Sequence, residues 1–243
     1  MIGRFFTRKK NFPGLLSTTD LHSHLLPGID DGVQDLEESL EVINGFVNLG
    51  FKKLITTPHI MHDFYKNDAA IITARLQEVR EALAAGNINI TLEAAAEYYL
   101  DEFFLELIGS DTPLLTFGDN YVLFELSFTN KPLNIKEVIF NLQTKGYRPV
   151  LAHAERYLYF HRQDDLLQEL YDSGVFLQLN LLSLSGYYSA EVKKMAARLL
   201  NRQMISFIGS DCHNAHQLMA VGKTLNSAAM NPVAKQNLLN QEL

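Results

Sequence analysis

The stretch DLHSHLLPGIDDG, residues 20–32, sets His22 and His24 one residue apart and follows them with adjacent carboxylates, Asp30 and Asp31. Imidazole nitrogen and carboxylate oxygen without thiolate are donors that suit Mn, Fe or Zn. Along an extended strand, side chains two residues apart point to the same side, so His22 and His24 can clasp one ion across Ser23. The loop framed by Gly28 and Gly32 can fold a carboxylate back over that clasp, and Asp30 reads there as a turn or capping residue. The same donor types recur downstream: TTPHI carries His59, EAAAEYY carries Glu97, LAHAER carries His153 with Glu155 and Arg156 behind it, and GSDCHN carries Asp211 and His213. A carboxylate such as Glu97 among alanines is costly to bury unless it is paired or bound to metal, whereas Glu93 reads as the start of the same strand. Asp211 and His213 alternate across Cys212, which turns the thiol to the other face. Taken singly, each histidine is also what a structural hydrogen-bonding residue looks like. Together they point to a metal centre.

Those groups need elements that bring them together. Seven short apolar runs (LLSTTDLH, KKLITTPH, INITLEAAAEYY, YVLFELSF, RPVLAHAE, VFLQLNLL and ISFIGSDCH) alternate with stretches of helical periodicity, the pattern of β/α units. After the first run, Leu36, Leu40, Ile43 and Val47 recur at helical spacing, with Asp35 placed to cap the start and Gly50 to end it. Similar faces run through Ile71, Ile72, Val79 and Leu83, through Val138, Ile139 and Leu142, and through Leu166, Leu167 and Leu170. The metal-capable residues fall at the C-terminal ends of five of the seven runs. In a barrel of parallel strands those ends share one face, where such folds build their sites.

Composition narrows the function. The chain has 243 residues, 47% hydrophobic, with no repeat and no linker-like segment, which predicts a basic arm over residues 1–14 and a single α/β domain over residues 15–243. A net charge of -7 argues against a general nucleic-acid binder. One cysteine excludes an internal disulfide and fits a reducing compartment. The arm holds Arg4, Arg8, Lys9 and Lys10 but no apolar run of signal-peptide length, and no stretch reaches the roughly 18 apolar residues of a membrane span, so the expectation is a cytoplasmic protein with a solvated N-terminal arm.

The motifs DLHSHLLPGIDDG, TTPHI, EAAAEYYL, LAHAERY and IGSDCHN, in this order from about Asp20 to Asn214, resemble those of the PHP superfamily, named for polymerase and histidinol phosphatase. They are most similar to the manganese-dependent tyrosine phosphatases of bacterial capsular and exopolysaccharide operons. The resemblance implies a distorted (β/α)7 TIM-like barrel holding three divalent ions, with manganese expected and iron or zinc also compatible. By motif position, His22, His24, Glu97 and Asp211 would hold one ion. Glu97 would bridge to a second with His153, and Asp31, His59 and His213 would hold the third. Arg156, Asp211 and His213 are the implied catalytic residues, Arg156 as a guanidinium fork for phosphate oxygens in place of a surface ion pair with Glu155. Three carboxylates against three divalent ions leave such a site positive, which reconciles an acidic protein with an anionic substrate. The implied reaction is phosphotyrosine hydrolysis by in-line attack of a metal-bridging hydroxide. A phenolate leaving group, of pKa about 10, needs no general acid. The implied partner is the tyrosine-rich tail of a kinase regulating polysaccharide export. Histidinol phosphatase or another small-molecule phosphoesterase is the enzymatic alternative, and a metal-stabilised regulatory module the non-enzymatic one. A further family arginine after the last motif has no counterpart here, where His216 and Lys223 stand instead. His62, His161 and His216 are expected at the rim or in structural roles, and Asp20 is expected to orient a ligand histidine.

Overall fold

A computed structural model describes residues 17–162 and 164–243; the basic arm at residues 1–14 lies outside them. In chain order, β1 (Thr19–Leu21) is followed by α1 (Leu36–Leu49), β2 (Lys53–Thr56), β3 (His59–Ile60) and α2 (Ala69–Ala85). Then come β4 (Thr91–Ala94), β5 (Glu97–Tyr99), α3 (Glu102–Gly109), β6 (Tyr121–Glu125) and α4 (Ile135–Thr144). The remainder is β7 (Arg148–Leu151), α5 (Leu158–Arg162), α6 (Asp164–Asp172), β8 (Phe176–Asn180), α7 (Leu181–Ser185), α8 (Ala190–Asn201), β9 (Ile205–Gly209) and α9 (Ala215–Leu225).

Every expected run contains strand, but the second and third are each split in two. Between β2 and β3 stands Pro58, which has no N–H for a ladder, and between β4 and β5 stand Ala95 and Ala96. The split divides the strands into two parallel sheets, ordered β1-β2-β4 and β3-β5-β6-β7-β8-β9. Pairing nonetheless crosses the break, because Ala95 N donates to Thr56 O at 2.9 Å and Glu97 N to Pro58 O at 3.1 Å. The last run also bonds to the first: Asp211 N donates to His22 O at 2.8 Å and His24 N to Cys212 O at 2.9 Å.

Asp35 caps α1 as expected, its side chain accepting from Glu38 N at 2.9 Å, and Gly50 ends it at φ 98°. The buried stripe of α1 is rotated from the expected one: Val42, Ile43, Phe46 and Leu49 are buried while Leu36, Leu40 and Val47 are only half-buried. The cause is tertiary, since α1 packs against both α9 and α2. On α2, Ile72, Leu76, Val79 and Leu83 face inward and Ile71 outward. The faces expected on α4 and α6 are buried. The main core lies between the strands and these helices. A second cluster takes inward residues from nearly every run, among them Leu21, Ile55, Ala95, Leu123, Val150 and Phe207. Among the described residues, no helix is long and apolar enough to cross a membrane.

Candidate metal centre

The residues singled out by motif follow β1, β7 and β9 or, where the second and third runs are split, open the second piece, as His59 opens β3 and Glu97 opens β5; several sit on unusual backbone. His22 (φ 111°), His153 (φ 32°) and Asp211 (φ 51°) all sit at positive φ, a conformation non-glycine residues adopt at a cost and that surrounding structure must hold in place. Part of that support is close backbone approach. A Cβ on Gly209 would lie 2.2 Å from Leu21 O and 2.7 Å from His22 Cβ, and one on Gly32 would lie 2.2 Å from His24 O, so only glycine fits beside each histidine. Asp20 binds the same junction and not, as expected, a histidine ring: Oδ1 accepts from Ser210 N and Oδ2 from Ser210 Oγ, both at 2.8 Å. Burial, only partly offset by these bonds, lifts its carboxyl to about 7.

The outer nitrogens of three histidines are tied down, which sets the direction of the inner ones. His22 Nδ1 lies 3.1 Å from Gln178 Oε1, His24 Nδ1 2.7 Å from Asp30 Oδ2, and His213 Nδ1 2.9 Å from Asp211 O. A carbonyl or carboxylate oxygen can only accept, so each Nδ1 carries the proton and each Nε2 presents a lone pair inward, the arrangement of metal-bound imidazoles. Asp30 thus does more than shape the turn. It accepts from Gly32 N at 2.9 Å and from His59 N at 3.1 Å as well as orienting His24.

Inside, Glu97 is fully buried at the centre. Its Oε2 is 3.1 Å from His22 Nε2, 3.5 Å from His24 Nε2 and 3.3 Å from His59 Nδ1, and its Oε1 is 3.0 Å from His153 Nε2. Asp211 Oδ1 lies 3.4 Å from His22 Nε2 and 3.5 Å from His24 Nε2. Asp31 Oδ1 lies 3.4 Å from His59 Nε2 and 3.5 Å from His213 Nε2. All eight expected ligands therefore converge. His24 Nε2 and His59 Nδ1 are buried without a hydrogen-bond partner although carboxylate oxygens face them. A lone pair buried against a carboxylate is unfavourable unless a cation or proton lies between them, and separations of this size match two donors sharing an ion at about 2.1 Å from each. Donors within 4.8 Å of one another fall into four overlapping groups: His22, His24 and Asp211; His22, Glu97 and His153; His24, Asp31, His59 and His213; and His59, Glu97 and Glu125. Glu125 was not among the expected residues.

The electrostatics agree. Burial alone would lower the His22 imidazole, but Glu97 and Asp211 outweigh it and raise it to about 9. Burial likewise opposes ionisation of Glu97 and Asp211, yet the histidines hold both well below the ordinary carboxylate range. Without metal, the centre takes up protons in place of cations.

Arg156 does not pair with Glu155. Its Nη1 donates to Asp211 Oδ2 at 2.8 Å, and its guanidinium lies 4.7 Å above the Phe128 ring and 4.2 Å above the Tyr188 ring. Glu155 is buried instead, with Oε1 accepting from Ser183 Oγ at 2.6 Å and Asn180 N at 3.0 Å. Asn180 Nδ2 in turn donates to Asp211 Oδ2 at 2.8 Å. The site opens into a cavity of about 700 Å³ lined by Asp31, His59, Glu97, Glu125, His153, Arg156, Asp211 and His213, with Phe64, Phe128 and Tyr188 among the rings of its wall. His62, His161, His216 and Lys223 do not line it. His62 rests on Phe103 at 5.1 Å between centroids, and His161 Nε2 donates to Glu155 O at 2.7 Å. Cys212 is buried, its thiol pushed up by burial and donating to Asn214 O at 3.4 Å.

Residues 18–225 match the family described as "Capsular polysaccharide synthesis, CpsB/CapC". The chain belongs to the CpsB/CapC family. It is 32% identical over 197 residues to the tyrosine-protein phosphatase YwqE of Bacillus subtilis, covering 80% of this chain and 77% of that one. It is 27% identical over 201 residues to the tyrosine-protein phosphatase CpsB of Streptococcus pneumoniae, covering 80% and 82%. Among solved structures, it superposes with a TM-score of 0.77 and 28% identity on one from the work on YwqE and CpsB as metal-dependent tyrosine phosphatases, covering 88% of this chain and 90% of the other. A histidinol phosphate phosphatase from Lactococcus lactis, at 13% identity and a TM-score of 0.52, shares the fold over 87% of this chain and 93% of its own. In this CpsB/CapC chain, the residues of the site missed from sequence include the polar groups Glu125, Gln178 and Asn180. Glu125 ends β6 as Glu97 opens β5, a carboxylate in an apolar strand, so the argument applied to Glu97 would have found it. Gln178 and Asn180 are neutral amides in an apolar strand, a pattern with no distinctive spacing.

Proposed function

We propose that the chain is a metal-dependent protein-tyrosine phosphatase whose centre is held by His22, His24, Asp31, His59, Glu97, Glu125, His153, Asp211 and His213. The observation that carries the reading is the convergence of nitrogen and carboxylate donors around buried imidazole nitrogens that lack hydrogen-bond partners. The naming of the relatives as tyrosine-protein phosphatases supports the reaction and substrate. We take the ions to be three, with manganese as the metal; iron and zinc suit the same donors. We read the scaffold as a distorted (β/α)7 barrel in one domain, supported by the bonds from the last run back to the first and by the inner cluster drawn from nearly every run.

Divalent ions held by these residues would supply Lewis acidity and would lower the pKa of water enough to provide hydroxide as the nucleophile near neutral pH. The protein's residues do the rest. Gln178, Asp30 and the Asp211 carbonyl keep the protons of His22, His24 and His213 on their outer nitrogens. Asp211 splits its oxygens, Oδ2 to Arg156 and Asn180 and Oδ1 to the centre. Arg156, over the Phe128 and Tyr188 rings at the cavity wall, has further N–H groups for phosphate oxygens. With three divalent ions in place, the carboxylates of Asp31, Glu97, Glu125 and Asp211 leave the site positive, so it attracts phosphate in a chain of net charge -7. The phenolate leaves without an acid.

The proposed substrate is phosphotyrosine in the tyrosine-rich tail of a kinase governing polysaccharide export, which the family's link to capsular polysaccharide supports. The proposed compartment is the cytoplasm, where the free thiol of Cys212 persists. Chelation is expected to abolish hydrolysis of a phosphotyrosine peptide and Mn²⁺ to restore it. Full activity in protein shown to be metal-free by elemental analysis would overturn the reading.

A further inference from the structure

The loop after β3 exposes an aromatic ring that folding does not explain. Phe64 is 75% exposed, makes no ring stack among the described residues, and lines the cavity. Its neighbour Tyr65 is committed elsewhere, stacked on His59 at 5.4 Å and 12°. Phe128 and Tyr188 are committed to the Arg156 guanidinium. The loop that presents Phe64 is tightly built: Met61 N and Tyr65 O, Tyr65 N and Met61 O, and Phe64 N and Met61 O are hydrogen-bonded at 3.1, 2.7 and 3.1 Å. Buried Asn67 anchors its far end, Nδ2 donating to Ile29 O at 2.9 Å and to His59 O at 2.8 Å. The anchor at His59 O ties the loop that carries the exposed ring to the backbone of a proposed metal ligand.

Burying a phenyl ring is favourable, and a stacked aromatic pair gains more than its area alone. A fixed loop that holds Phe64 open to water therefore presents an unstacked ring in the lining of the same cavity as the buried polar groups Glu97 and His153, its floor. A phosphate bound at that floor and esterified to a phenol puts its ring in the cavity that Phe64 lines. The alkyl esters of serine and threonine put no ring there. We propose that Phe64 is a specificity-determining residue that receives the aromatic ring of the substrate, an inference that rests on the tyrosine-phosphatase reading above.

The test uses the Mn²⁺-loaded full chain, a phosphotyrosine peptide as substrate and inorganic phosphate as a competitive probe of the floor. Phe64→Ala is expected to raise KM for the peptide about tenfold. Its kcat should change less than twofold and phosphate should inhibit as in the wild type, because Phe64 supplies no metal donor and the rings beside Arg156 are Phe128 and Tyr188. Phe64→Leu should recover only part of the loss and Phe64→Trp nearly all of it, which separates a ring contact from plain apolar bulk. A peptide KM unchanged in Phe64→Ala, with the wild type active, overturns the ring contact and leaves the phosphatase reading standing. A wild type that turns over no phosphotyrosine peptide overturns both.

Discussion

Asp211 holds Arg156 and Asn180 through Oδ2 and faces His22 and His24 with Oδ1, so one carboxylate joins the cavity-lining arginine to the centre of the site. Its neighbour Cys212 points into the core, where burial keeps the thiol protonated. Asp211→Asn is therefore expected to lose nearly all phosphotyrosine turnover, while Cys212→Ser retains activity within about threefold, serine keeping a donor for Asn214 O. Rates at matched metal content decide it; an inactive Cys212→Ser protein that still holds its ions would mean the nucleophile is the thiol. Arg156→Ala should cost about 2–4 kcal/mol in kcat/KM through loss of a charge-assisted phosphate contact. Metal content should persist, because Asn180 still holds Asp211. Arg156→Lys should recover little, since an ammonium lacks the planar fork of donors that the guanidinium holds over Phe128 and Tyr188. Steady-state kinetics beside elemental analysis reads both effects.

Between elements, the decisive contact is β9 against the end of β1. Gly209 lets the two backbones meet, and His22 leaves the strand at φ 111° with its ring braced by Gln178 from β8. A methyl on Gly209 would also lie 2.8 Å from Gln178 Nε2, so Gly209→Ala pushes on the histidine and its brace at once. The expected cost is about 1–3 kcal/mol of stability together with weakened metal binding, read by thermal melts with and without Mn²⁺. A melt unchanged in both conditions would show that the junction yields freely. The breaks after Thr56 and Ala94 serve the same end, because they allow β3 and β5 to pair His59 with Glu97, both of which reach the centre.

For the molecule as a whole, the centre couples metal, proton and stability. In metal-free protein the His22 imidazole is raised to about 9 by Glu97 and Asp211 against the opposing effect of burial, above its ordinary value of 6.5. A histidine raised by folding contributes stability that is complete below the unfolded value and is lost as pH climbs through the folded one. Chelated protein is therefore expected to lose melting temperature between pH 6.5 and 9. Asp20, raised to about 7, loses its share of stability below that window, between its ordinary carboxylate value and 7. The Mn²⁺-loaded protein should hold its melting temperature between pH 7 and 9, since ions replace the proton on the ligands. Parallel pH slopes for chelated and loaded protein would disprove the coupling.

The amino-acid sequence by itself determined the seven runs and the Asp35 cap through strand alternation and capping chemistry, and it marked the metal-capable groups through the cost of placing them in apolar runs; the resemblance completed the set of eight proposed ligands. The CpsB/CapC resemblance was carried by the same residues. What only the tertiary structure decided is which groups from distant runs meet. The face α1 buries depends on α9 and α2. The partner of Asp20 is Ser210 and that of Arg156 is Asp211, both set by how β9 returns beside β1. Glu125 joins His59 and Glu97 only because β6 lies next to β5. An amide such as Gln178 or Asn180 in an apolar strand carries no spacing to mark it, and its role follows from a register that no local segment encodes.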